Sequence, residues 1–88
     1  MSRLILVVDD EDSIRALVRF VLERVGGWRV LAVASGSEAL VQAESVQPDA
    51  ILMDVMMPEM DGPTTVGHLQ ANPRTRHIPN RHDDGPTP

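Results

Sequence analysis

The sequence predicts an α/β fold: a parallel sheet with helices on both sides. Three observations carry that expectation. Leu4 to Val8 is an unbroken apolar run rich in branched residues, the pattern of a strand buried on both faces. Directly after it the apolar spacing becomes helical, through Ile14, Leu17, Val18, Val21, Leu22 and Val25. The same alternation of strand and helix then repeats twice with short connections, which favours parallel pairing through right-handed crossovers.

Each element has its own warrant. The first helix carries Arg15, Arg19, Glu23 and Arg24 on its other face and closes at Gly26-Gly27. Trp28 to Ala34 reads as the second strand, with Trp28 packing at the sheet edge. Ser35-Gly36-Ser37-Glu38 matches the capping box that opens a helix. Ala39, Leu40, Ala43 and Val46 form the inner face of that helix, and Pro48 ends it. Asp49 to Val55 holds the third strand. Asp61-Gly62-Pro63 starts a third helix, with proline near its first turn, whose thin apolar face is Val66 and Leu69. That helix ends near Asn72-Pro73. From Pro73 onward the chain is polar and proline-rich, and nothing there reads as a fourth strand.

Composition limits the function. The chain has 88 residues, enough for one small domain, and its apolar fraction of 42% is globular. A net charge of −5, with Phe20 and Trp28 the only aromatics, argues against a nucleic-acid surface. With no cysteine there is no disulfide, thiolate catalysis or zinc–cysteine site. No apolar run reaches membrane-spanning length, and MSRLILVVDDED is not a signal peptide, so a cytoplasmic location is expected. All eight basic side chains are arginine; there is no lysine.

The chemistry concentrates in acids. In a parallel α/β sheet the C-terminal ends of the strands face one crevice. Asp9 and Asp10 follow the first strand, and Asp54 ends the apolar run of the third. If those strands are neighbours, three carboxylates meet at one edge. Two like charges ~5 Å apart cost roughly 3 kcal/mol at an effective dielectric of about 20. A hard divalent cation would offset that, and magnesium prefers such oxygen donors. Asp54 could then act as a nucleophile that forms an aspartyl phosphate. The plainer reading is that Asp9 to Asp12 only cap the first helix and favour its dipole. Met53, Met56, Met57 and Met60 read as core and loop packing. His68 belongs on the solvated side of the third helix. His77, His82, Asp83 and Asp84 read as a solvated tail in preference to a transition-metal site.

The segments VVDDED, ILMDVMMPEMDG and HIP, in this order and spacing, closely resemble the receiver domain of two-component response regulators, from about residue 3 to residue 79. The resemblance implies a flavodoxin-like three-layer α/β sandwich with strand order 2-1-3 at its start. It implies that Asp54 is the phosphoacceptor, and that Asp10 and Asp54 bind Mg2+ directly. Asp9 would contribute through a metal-bound water and Met56 through its backbone carbonyl. The phosphodonor would be a phosphohistidine of a sensor histidine kinase.

The sequence also departs from that family. A complete receiver has five strands and five helices, and this chain supplies three of each. After Ile78-Pro79 the family enters an apolar strand ending in serine or threonine, whereas here the chain reads NRHDDGPTP. Thr64, Thr65, Thr75 and Thr87 do not match that switch position. The lysine that the fifth strand supplies has no counterpart. The expectation is therefore a receiver truncated after its third helix, with residues 1–79 as the domain and 80–88 as a polar tail. Phosphorylation should be slow or absent, since losing one preorganised partner costs roughly 3–4 kcal/mol in comparable sites. The third strand should form an open edge that drives self-association. The rival reading is an interaction or oligomerisation module derived from a receiver, without phosphotransfer. A phosphoaspartate hydrolase is disfavoured, because Met56 stands where such enzymes carry a second acid.

Overall fold

The computed structural model describes residues 3–54 and 62–83. Seven elements follow in order: β1 (Leu4–Val8), α1 (Asp12–Arg24), β2 (Arg29–Val33), α2 (Gly36–Val46), β3 (Ala50–Asp54), α3 (Gly62–Ala71) and β4 (Asn80–Asp83). The strands form one sheet in the order β2-β1-β3-β4, and every pairing is parallel. The expected α/β class and the start of the strand order are as the sequence predicts.

The faces of β1 explain the layering. Successive side chains of a strand point to opposite faces. Leu6 and Val8 join one apolar cluster with Val33, Ala39, Ala43, Ile51, Met53, Leu69 and Ile78, which unites the sheet with α2 and α3. Ile5 and Val7 join a smaller cluster with Val30, against which Val18, Leu22 and Trp28 pack from the α1 side. Each fully buried large apolar side chain contributes about 1.5–3 kcal/mol, so the α2–α3 face supplies most of the stability.

Local chemistry sets the element ends. The Ser35 hydroxyl oxygen accepts from the Glu38 amide at 3.2 Å, as the capping box requires. Gly27 turns the chain between α1 and β2 with φ of +69°. A side chain at Gly26 would collide with the Trp28 ring, at 2.4 Å from its Cδ1. At the start of the sheet, the Leu4 amide donates to the Asp49 carboxylate and the Asp49 amide donates to the Leu4 carbonyl, both at 2.8 Å.

The fourth strand corrects the sequence reading. Residues 80–83 are not a free tail: they pair with Ile51–Asp54 in parallel register. Asn-Arg-His-Asp has poor strand propensity, so the pattern gave no signal. Pairing and anchorage make the strand instead. Ile78 is buried in the core just before it, and the Pro79 carbonyl accepts from the Ile51 amide at 2.9 Å. Polar residues are well tolerated at an edge. The sheet thus has one strand more than expected, and residues 84–88 lie outside the described residues. It follows that β3 is not an edge, and self-association through an open β3 edge loses its basis.

The first helix is also seated differently. Its expected apolar face would bury six residues, yet α1 has no buried residue. Val18 and Leu22 pack half-buried on the sheet, while Leu17, Val21 and Val25 are exposed. The helix rests on the sheet through the side that carries Arg15, Val18 and Leu22, so part of its stripe lies on a flank. Arg15, expected on the solvated face, is half-buried instead. Val46 of α2, expected inside, is likewise exposed, whereas Ala39 and Ala43 are buried as predicted.

Candidate functional site

The acids come together through strand register. Val8 of β1 pairs with Met53 of β3, so Asp9 and Asp54 are the next residues on adjacent strands. Adjacent strands run about 4.8 Å apart. Asp9 extends the ladder on the other side too, because its amide donates to the Val33 carbonyl of β2 at 3.1 Å. It emerges where the C-terminal ends of three parallel strands converge, the usual place for chemistry in an open α/β sheet.

The β1–α1 turn then fixes the acid pair. The Asp9 carboxylate accepts from the Glu11 amide at 2.9 Å. Asp9 is half-buried and Asp10 exposed. The residue at the helix start, Glu11, makes no side-chain cap bond, while Asp12 lies in the first turn of α1. From within the first turns of α1, Arg15 returns to this loop. Its Nη1 donates to the Asp9 carbonyl at 2.8 Å, and its Nη2 pairs with the Asp12 carboxylate.

Of the predicted site residues, Asp9 and Asp10 directly follow β1, and Asp54 is the last residue of β3. Met56 lies outside the described residues. The register brings the Asp9 and Asp54 positions side by side. Among the described residues no three acidic or histidine side chains converge as a complete metal cluster. What the chain offers is a set of hard oxygen donors at one sheet edge, which suits Mg2+ by donor chemistry.

The sequence reading missed Asp83. It is the register partner of Asp54, on the side away from β1. With its strand unread, nothing in the sequence could place it there. Thr65 and Thr75 are both buried, and the Thr75 hydroxyl donates to the Leu69 carbonyl at 2.8 Å. His68 is exposed, as expected, and lines a surface groove between α2 and α3 with Leu40, Val41 and Glu44.

Comparison with known proteins identifies the family. The family model for the response regulator receiver domain matches residues 5–79. The alkaline phosphatase synthesis transcriptional regulatory protein PhoP of Bacillus subtilis is 50% identical over 62 residues, covering 70% of this chain and 25% of that protein. The N-terminal domain of a response regulator receiver protein from Methanoculleus marisnigri superposes with a TM-score of 0.91 at 39% identity, over 98% of this chain and 71% of the other. The receiver domain of a sensor histidine kinase from Pseudomonas aeruginosa, with a magnesium ion coordinated in its active site cleft, superposes with a TM-score of 0.82 at 33% identity, covering 93% of this chain and 66% of that one. The chain thus spans a quarter of PhoP and about two thirds of the receiver structures. No helix among the described residues is long and apolar enough to cross a membrane. With the family model matching residues 5–79 and receiver structures superposing on the same parallel sheet, the chain belongs to the response regulator receiver domain family of two-component signalling.

Proposed function

We propose that this chain is a cytoplasmic phosphoacceptor module in which Asp54 takes a phosphoryl group from a phosphohistidine of a sensor histidine kinase. The observation that supports this reading most is the β1–β3 register, which sets Asp9 and Asp10 beside the Asp54 position at one strand edge. In the step, a carboxylate oxygen of Asp54 bonds to phosphorus while the phosphorus–nitrogen bond breaks. The electron pair stays with the departing imidazole, which keeps or gains one proton. Asp9, Asp10, Asp54 and the Met56 carbonyl would hold Mg2+. When bound, that ion supplies positive charge to the phosphoryl oxygens. The protein's own part is to fix the acid pair at the strand end and to present Asp54 next to it.

The test is intact mass after incubation with Mg2+ and acetyl phosphate, with Asp54→Asn alongside. One phosphoryl adduct that disappears in the variant supports the reading. Folded protein with no adduct would overturn it.

A second reading, assembly without phosphotransfer, is favoured by one observation. Leu17, Phe20 and Val21 of α1 and Val25 at its C-cap are all exposed, Val25 to 82%. Large exposed apolar patches mark interaction surfaces. Light scattering coupled to sizing discriminates: concentration-dependent association that Leu17→Glu abolishes is the expected result of that reading, and it does not require the Asp54 carboxylate.

A further inference from the structure

We propose that Arg15 is a positioning residue for the acid pair: it holds the Asp9–Asp10 backbone in the conformation in which both carboxylates are available to a divalent cation. The inference rests on the metal site of the proposed function and goes beyond it, since Arg15 is no ligand and touches no reacting atom.

Ties at its amide, its carboxylate and its carbonyl locate Asp9. Its amide is held by β2 through the Val33 carbonyl, and its carboxylate is held by the Glu11 amide. Its carbonyl accepts the bond from Arg15 Nη1. That carbonyl belongs to the peptide joining Asp9 to Asp10. Fixing it therefore fixes the plane from which the second acid departs. The guanidinium suits the task because its planar fork bonds two partners at set angles, here the Asp9 carbonyl and the Asp12 carboxylate. Its side chain is only 21% exposed, while that of Asp12 is 91% exposed. An ion pair with so exposed a partner contributes little by itself. The inward bond to the carbonyl is thus the part of the arrangement with a structural consequence.

Two effects of removing Arg15 oppose each other, which makes the proposal decidable. Taking a positive charge away from an acidic edge should strengthen cation binding. Releasing the Asp9–Asp10 peptide should weaken it, and outer partners of metal ligands typically affect affinity by about 10–100-fold. The proposal holds that positioning wins.

The experiment uses the full chain and Mg2+ as the probe. Binding is followed by nitrogen–proton NMR at the Asp10 and Glu11 amides in wild type, Arg15→Gln and Arg15→Lys. The expected result is Mg2+ affinity about tenfold lower in Arg15→Gln, with Arg15→Lys between it and wild type. Without metal, exchange of the Glu11 amide should accelerate in Arg15→Gln while the amides of Leu6 and Val8 keep their protection. That contrast separates release of the loop from loss of the fold, and Arg15→Lys carries the test if Arg15→Gln does not fold. Equal or tighter Mg2+ binding in the variants overturns this inference alone. Absence of Mg2+ binding by the wild type overturns the proposed metal site, and this inference with it.

Discussion

Asp54 and Asp83 are register partners at the ends of two hydrogen-bonded parallel strands, β3 and β4. The Asp54 position, the acceptor under the proposed function, therefore has acidic positions on both sides, Asp9 just past β1 and Asp83 on β4. A phosphoryl group brings further negative charge to this edge. Under the proposed function, replacing Asp83 by asparagine should speed phosphoryl acceptance at Asp54 by about threefold to tenfold, as removal of one screened like charge from the neighbouring strand would. The time course of the mass adduct with acetyl phosphate measures it; an unchanged rate would show that the Asp83 charge does not act on the site, and a slower one that it assists acceptance.

The turn between α3 and β4 depends on one buried hydroxyl. Thr75 is 1% exposed and its Oγ1 donates to the Leu69 carbonyl at 2.8 Å. Thr75→Val keeps the shape and removes the donor. It should lower stability by about 1–3 kcal/mol, because the buried carbonyl loses its best partner. Thr75→Ser, which keeps the hydroxyl, should cost less in urea unfolding followed by circular dichroism.

Gln47 combines backbone strain with a compensating contact. Its φ is +53°, in the left-handed region. Its side-chain amide donates to the carbonyls of Ala43, Glu44 and Arg74, the last at 2.8 Å. Gln47→Ala loses the contacts and keeps the strain; Gln47→Gly loses the contacts and relieves it. The glycine variant should be more stable than the alanine variant by about 1 kcal/mol. Thermal melts of the two settle the order.

Leu69 is the inward anchor of α3, 1% exposed within the larger cluster. Leu69→Ala should cost about 2–5 kcal/mol. A domain this small has a stability of roughly 5–15 kcal/mol at most, so the variant should lose a large share of it. The denaturation midpoint should fall with the slope little changed.

The legible parts of this fold were those where side-chain pattern and environment coincide. Leu4 to Val8 reads as a doubly buried strand and is one, and Ser35 with Glu38 reads as a cap and is one. The acids could be placed because strand ends are marked by the point where the apolar runs stop. The fourth strand could not be read, because Asn80–Asp83 is specified by backbone pairing to β3 and by the anchor Ile78. Arg15 was misplaced for a related reason. Helical spacing puts it next to solvent, and only the path of the β1–α1 loop gives its guanidinium an inward partner.

The reciprocal bonds between Leu4 and Asp49 lie at the opposite end of the sheet from the acids. Asp49 and Asp54 are separated by a strand length of about 16 Å at ~3.3 Å per residue. Sliding β3 by one residue against β1 would turn every side chain of β3 to the wrong face and carry Asp54 a full residue away from Asp9. Leu4 and Asp49 thus act as the zero mark of a ruler. The alignment of the Asp9 and Asp54 positions at one end of the sheet is calibrated by a contact at the other.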